Sequence, residues 1–195
     1  MDASTTREQI VEAADRLFYE QGFEATSFAD LAAAVGLSRG NFYYHFKTKD
    51  EILAAVISLR LENTRAMLDA WEAESSAPAD RIRSFIRILV TNRAKIMAFG
   101  CPVGTLSSEL AKLDHLARDD AAKLFALFRD WLTGQFIALG REDDAEALAL
   151  HVLMRSQGVA SLATAFRDEA FVDREIEDMD RWLDAQLPGS RTEIH

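Results

Sequence analysis

From Ser38 to Lys49 the chain reads Ser-Arg-Gly-Asn-Phe-Tyr-Tyr-His-Phe-Lys-Thr-Lys, and this is where residue type and spacing together point to chemistry. Phe42 and Phe46 stand four apart, the spacing of one helical face, and can pack inward against Leu17, Phe18, Leu31 and Val35. Ser38, Arg39, Asn41, Tyr43, Tyr44 and His45 then share the opposite surface, which is rich in hydrogen-bond donors and aromatic hydroxyls. Such a surface suits base edges and phosphate oxygens. Gly40 removes a side chain where a backbone can come close to nucleic acid, at a helix-propensity cost of about 1 kcal/mol. Lys49 falls in the first turn of the helix that follows, where free N–H groups and the positive dipole end already favour a phosphate.

A second stretch, Gly100-Cys101-Pro102-Val103-Gly104-Thr105-Leu106, breaks a helix and sets Cys101 before a new helix start. Two readings stand. A helix dipole can lower a thiol pKa and make Cys101 a nucleophile, or the residue is a small buried hydrophobe. An enzyme built on Cys101 with His115 or His151 as base is the rival reading. Against it, neither histidine lies in a recognisable motif, and no paired carboxylates or metal-ligand spacing occur. No metal site and no cofactor are expected.

The elements that must position these residues follow from periodicity and caps. Three prolines and nine glycines interrupt segments with apolar residues at three- and four-residue spacing, so the expected fold is all-α with about nine helices. Thr5-Thr6-Arg7-Glu8, Ser27-Phe28-Ala29-Asp30 and Thr48-Lys49-Asp50-Glu51 read as capping boxes opening the first, second and fourth helices. Gly22 ends the first and Gly36 the second. A third helix fits 38–46, and the fourth ends before Ser75-Ser76-Ala77-Pro78. One helix is expected over 80–99, then others near 104–112, 115–139, 144–166 and 171–187. Long, short, short, with Val35-Gly36-Leu37 between the last two, are helix-turn-helix proportions, in which the third helix enters the major groove. Two domains are expected, a DNA-binding one at 1–50 and a second at 51–195.

Composition bounds the rest. The 195 residues carry 22 Lys and Arg against 32 Asp and Glu, a formal net charge of -10, which at first excludes nucleic acid. From Ala32 to Lys49, however, there are three basic residues and no acid, so the basic footprint is local. The longest uncharged run, Ile96 to Ser108, is thirteen residues, short of the roughly 18–20 needed to span a bilayer. The first residues lack a signal-peptide pattern, and a single cysteine fits a reducing compartment, so a soluble cytoplasmic protein without membrane association is expected.

The string Thr26-Ser27-Phe28-Ala29-Asp30-Leu31-Ala32 followed by Val35 to Lys49 resembles the DNA-binding domain of the TetR family of bacterial regulators, over about residues 7–56. The resemblance implies a repressor that binds a double-stranded DNA operator as a homodimer and is released by a small effector in its C-terminal helices. On that pattern Ser27, Lys49 and the hydroxyls of Tyr43 and Tyr44 hold phosphates. Ser38, Arg39, Asn41 and His45 lie nearest base edges, and Gly40 allows close approach. Arg39 can fork onto guanine O6 and N7, which favours a guanine-containing half-site. The Gly-Cys-x-x-Gly run resembles a subgroup of such regulators, some of which sense electrophiles or oxidants.

Beyond Val56 the reading rests on the residues. The last two helices are the dimer candidates. One carries the stripe Leu148, Val152, Val159, Leu162 and Phe166 with small residues at Ser156, Gly158, Ala160, Ser161 and Ala163. The other carries the seam Val172, Ile176, Met179, Trp182, Leu183 and Leu187. Packing within one subunit is the alternative for both. An apolar or electrophilic effector needs an apolar cavity with a few polar groups, and the candidates are Phe99, Cys101, Leu106, Phe128, Trp131, Met154, Gln157 and Ser161.

Overall fold

The computed structural model describes residues 3–187. Among the described residues the chain forms ten helices and no strand, so the fold is all-α. In order they are α1 (Ala3–Glu20), α2 (Phe28–Ala34), α3 (Arg39–His45), α4 (Lys49–Glu74), α5 (Pro78–Thr91), α6 (Arg93–Phe99), α7 (Pro102–Lys112), α8 (Arg118–Ala138), α9 (Ala145–Phe166) and α10 (Glu169–Asp184). No described helix is long and apolar enough to cross a membrane.

Local chemistry explains most of the boundaries. Ser27 caps α2 in a reciprocal box: the Asp30 N–H donates to Ser27 Oγ at 3.2 Å, and the Ser27 N–H donates to Asp30 Oδ2 at 2.8 Å. At the other end Gly36 takes φ +66°. The Gly36 and Leu37 N–H groups then donate to the carbonyls of Ala33 and Ala32, the paired bonds of a Schellman stop. Ser38 caps α3, and Thr48 accepts from the Glu51 N–H at 3.1 Å to cap α4. The reciprocal half of that third box is altered, because the Glu51 carboxylate accepts from the Lys47 N–H instead.

Several boundaries depart from the sequence reading, with α8 starting at Arg118 rather than 115 and α10 running over Glu169–Asp184 rather than 171–187. α1 already includes Thr5 and Thr6, so the box expected there lies inside the helix. The helix expected over 80–99 is divided at Asn92, whose φ of -105° and ψ of 15° leave the helical region while the apolar spacing continues on either side. α7 begins at Pro102 rather than near residue 104, with proline in the first turn, where its missing N–H costs nothing.

Packing gathers the chain into two compact units, and their edge is not at residue 50. The first takes residues up to Thr64 together with Pro102–Leu124. Its core shows why: Phe18, Phe23, Leu31, Phe42 and Phe46 are closed over by Ile52, Leu53 and Val56 from α4 and by Leu106 and Leu110 from α7. The second takes Arg65–Cys101 and the chain from Phe125 onward. In it α10 packs on α5 and α9, and α6 packs on α9. Phe85 meets Phe128 edge-on at 5.3 Å, His151 stacks on Trp182 at 4.3 Å, and Trp71 lies 5.7 Å from Trp131.

The two helices expected at a dimer face behave differently. Val172, Ile176, Met179 and Leu183 of α10 are buried inside the subunit, and its outer face carries Asp173, Arg174, Glu177 and Arg181. The apolar seam of α10 is therefore used within one chain. On α9, Val152, Ser156, Val159, Ala160 and Ala163 face inward. Every exposed α9 residue from Ala147 to Phe166 is uncharged, and Leu150, Met154, Gly158, Ser161, Leu162 and Phe166 stand among them.

Candidate nucleic-acid interface

α3 is anchored from below and open above. Phe42 and Phe46 are buried, and the Arg7 guanidinium lies 4.5 Å over the Phe46 ring, holding α1 against the end of α3. Phe28 of α2 meets Phe42 edge-on at 5.5 Å and stacks flat on Tyr43 at 5.2 Å. With its inner face fixed, α3 turns Arg39, Gly40, Asn41, Tyr43 and Tyr44 to the outside, as does its N-cap Ser38, and Tyr44 is 72% exposed. His45 is half-buried, with Tyr44 edge-on against its ring. A position for a Cβ on Gly40 has nothing within 4 Å, so no neighbour in the chain demands glycine there. Between α2 and α3 runs a cleft of about 310 Å3 lined by Ser27, Phe28, Ala29, Ala32, Arg39, Phe42 and Tyr43. The arrangement presents an arginine fork, an amide and two phenols on a rigid short helix, suited to hydrogen bonding in a groove.

Two of the four phosphate candidates are already employed. The Ser27 hydroxyl donates to Asp30 Oδ2 at 2.6 Å, so its proton is committed to the cap. Those contacts hold the exposed Asp30 carboxyl below its ordinary value of 3.8, the side-chain bond from Ser27 first and the backbone bond second. Lys49 does not reach outward either. Its ammonium donates to the carbonyls of Phe23 at 2.9 Å, Glu24 at 3.2 Å and Thr26 at 3.3 Å, and sits 4.3 Å over the Phe23 ring. Three N–H bonds and three carbonyls leave the ammonium fully used. Of the basic residues in the 32–49 stretch, Arg39 and Lys47 remain exposed, and Lys47 donates to the Tyr43 carbonyl.

The sequence reading missed Glu109. Its carboxylate, from α7, accepts the N–H groups of Phe23 and Glu24, both at 2.9 Å, across 85 residues or more. Nothing local announces such a contact.

A helix-turn-helix capped in this way, with a donor-rich third helix, is shared with known proteins. Residues 10–56 match the family model of bacterial regulatory proteins of the tetR family, and residues 78–177 match the C-terminal domain of LmrA/YxaF-like transcriptional regulators. The chain belongs to the TetR family. Members of this family are DNA-binding transcriptional regulators rather than enzymes. A crystal structure of a TetR transcriptional regulator from Legionella pneumophila superposes with a TM-score of 0.81 at 27% identity, over 93% of this chain and 99% of that one. An HTH-type transcriptional regulator from the lacX 3' region of Lactococcus lactis subsp. lactis is 30% identical over 123 residues, 62% of this chain and 63% of that one. The chain thus spans less than two thirds of that relative's length. The HTH-type transcriptional repressor DhaR of Mycobacterium sp. (strain GP1) is 25% identical over 97% of this chain and 96% of that one.

The eight effector candidates are not brought to one place. Leu106 belongs to the core of the first unit. Phe128 is buried against Phe85, and Trp131 donates its indole N–H to Glu72 at 2.8 Å. Met154 is 67% exposed and Ser161 is exposed, both on the outward stripe of α9 rather than facing a cavity. Gln157 and Cys101 are half-buried, and Phe99 is partly exposed. Periodicity identified these side chains as apolar or adaptable but carried no information on what covers them. Among the described residues, no group of three or more His, Cys, Asp or Glu is placed to hold a metal ion.

Proposed function

We propose that the protein is a dimeric repressor that reads a palindromic operator with α3 and is released when a small apolar or electrophilic effector binds its C-terminal region. The observation that carries the DNA reading is the sorting of α3: Phe42 and Phe46 inward, Arg39, Asn41, Tyr43 and Tyr44 outward. Arg39, Ser38, Asn41 and His45 read bases, Tyr43 and Tyr44 hold phosphates, and Gly40 lets the backbone approach. The exposed uncharged face of α9 supports dimerisation, since two half-sites about 34–36 Å apart need two copies. Repression is taken from DhaR, which spans nearly the whole chain. Of the effector candidates, Phe99, Cys101 and Gln157 remain the better placed, being neither deep in the first core nor on the α9 face. An effector acts only through unequal affinity for the DNA-competent and incompetent conformers.

Footprinting of the DNA next to the protein's own coding region, at low salt, tests this reading. A protected palindrome is expected, with only weak binding to unrelated DNA because the net charge of -10 gives little bulk attraction. No protected site at low salt would overturn it.

A further inference from the structure

The loop between α1 and α2 is gripped by two opposite charges, and one of them comes from outside the helix-turn-helix sequence. Phe23 is 2% exposed, edge-on to Phe18 and to His115 at 5.2 Å each. The Glu109 carboxylate accepts the N–H groups of Phe23 and Glu24, and the Lys49 ammonium donates to the carbonyls of Phe23, Glu24 and Thr26. The sequence makes room for this: Gly22 has φ +97°, and a Cβ there would stand 3.1 Å from Glu109 Oε1. A side chain at residue 22 would be strained and would also crowd the carboxylate. Thr26, wholly buried, closes the loop by donating to the Gly22 carbonyl at 2.7 Å. The next residue, Ser27, is the cap of α2, and α2 carries α3 through the Gly36 stop. α7 is itself tied down at its start, since Arg60 donates to the Pro102 carbonyl at 2.7 Å and to Asp15 Oδ1 at 2.5 Å.

We propose that Glu109 is a positioning residue for DNA recognition: together with Lys49 it fixes the Phe23–Glu24 peptide and thereby the stance of α2 and α3. In this role both act through the loop backbone. The role rests on α3 being the reading helix. It also makes α7 a working part of the reading unit, although α7 follows the helix-turn-helix by more than fifty residues.

The test uses the full chain, the footprinted operator duplex and an unrelated duplex, with Glu109→Gln and Lys49→Met, each checked for native helix content. Glutamine keeps the shape but turns an NH2 toward one of the two N–H donors. Bonds to charged groups are worth roughly ten-fold or more in an equilibrium constant, so operator affinity falls by about that factor in each variant. Affinity for the unrelated duplex stays within about two-fold, because phosphate contacts carry it, and the slope of log K against log salt is unchanged. Hydrogen exchange of the wild type adds a readout that no substitution can spoil: the Phe23 and Glu24 amides exchange slowly despite lying in a loop. Equal losses on both duplexes would reduce Glu109 to a stability role. A slope lower by about 1 in Lys49→Met would put Lys49 on a phosphate and overturn its part. Fast exchange of the two amides in the wild type would remove the clamp altogether. If the wild type binds no duplex, the DNA reading fails first and the recognition role goes with it; if it binds and the variants match it, this inference alone fails.

Discussion

Substituting Met154 by Glu tests whether the open face of α9 is where two copies meet. The side chain is 67% exposed in one subunit, so it contributes little to the subunit's own core, and the change should leave the protomer folded. Full burial of a methionine is worth about 1.5–3 kcal/mol, so covering the exposed two thirds is worth roughly 1–2 kcal/mol. A two-fold interface counts each residue twice, which raises the loss to roughly 2–4 kcal/mol per dimer, or about thirty- to a thousand-fold in the dimer dissociation constant. Two carboxylates brought into that interface must also be desolvated, which pushes the effect to the upper end. Sedimentation equilibrium across a concentration series measures this directly. The expected result is a dimer in the wild type and dissociation at low micromolar concentration or above in Met154→Glu, with thermal unfolding of the protomer little changed. An unchanged dimer would show that α9 is not the contact and that the pairing argument is wrong.

Other expectations concern the reading unit. Arg39→Ala should relax preference at one base position by about 1–3 kcal/mol while other positions keep their discrimination, measured by binding to a set of singly substituted operators; a uniform loss would make Arg39 a backbone contact. Phe42→Ala should cost about 3–5 kcal/mol in urea unfolding, because the ring is 1% exposed in a closed core. Asp30 has a folded pKa depressed by Ser27, so its cap stabilises above the ordinary value of 3.8 and fades as pH falls through the lower folded value. The stability gap between the wild type and Asp30→Ala should therefore be present near neutrality and shrink on acidification toward and below 3.8; a gap independent of pH would contradict the assignment.

What could be read from the sequence was what neighbours in the chain decide. The Ser27–Asp30 box, the glycine stop at Gly36 and the inward pair Phe42 and Phe46 are all set within four residues or so, and each stands where the spacing placed it. What could not be read depended on distant partners. Lys49 was placed at a helix start with an outward charge, yet three carbonyls of a loop some 25 residues earlier claim it. Glu109 looked like one surface acid among many until the fold brought it to the Phe23 and Glu24 amides. The α10 seam illustrates a different limit. Period 3.6 says that a face must be covered and is silent on whether the cover is the same chain or a second one. For α10 it is the same chain, through α5 and α9.

The aromatic residues divide between the two units in a way that gives each its own optical signal. Trp71, Trp131 and Trp182 all belong to the second unit, while Tyr19, Tyr43 and Tyr44 all belong to the first. Red-edge excitation, where only indole absorbs, therefore follows the second unit alone, and tyrosine difference absorbance follows the first. An effector titration watched by both would time the response of one unit against the other in the unmodified protein. Since Tyr43 and Tyr44 stand on α3, quenching of phenol emission by a duplex would report engagement of the reading helix without a dye.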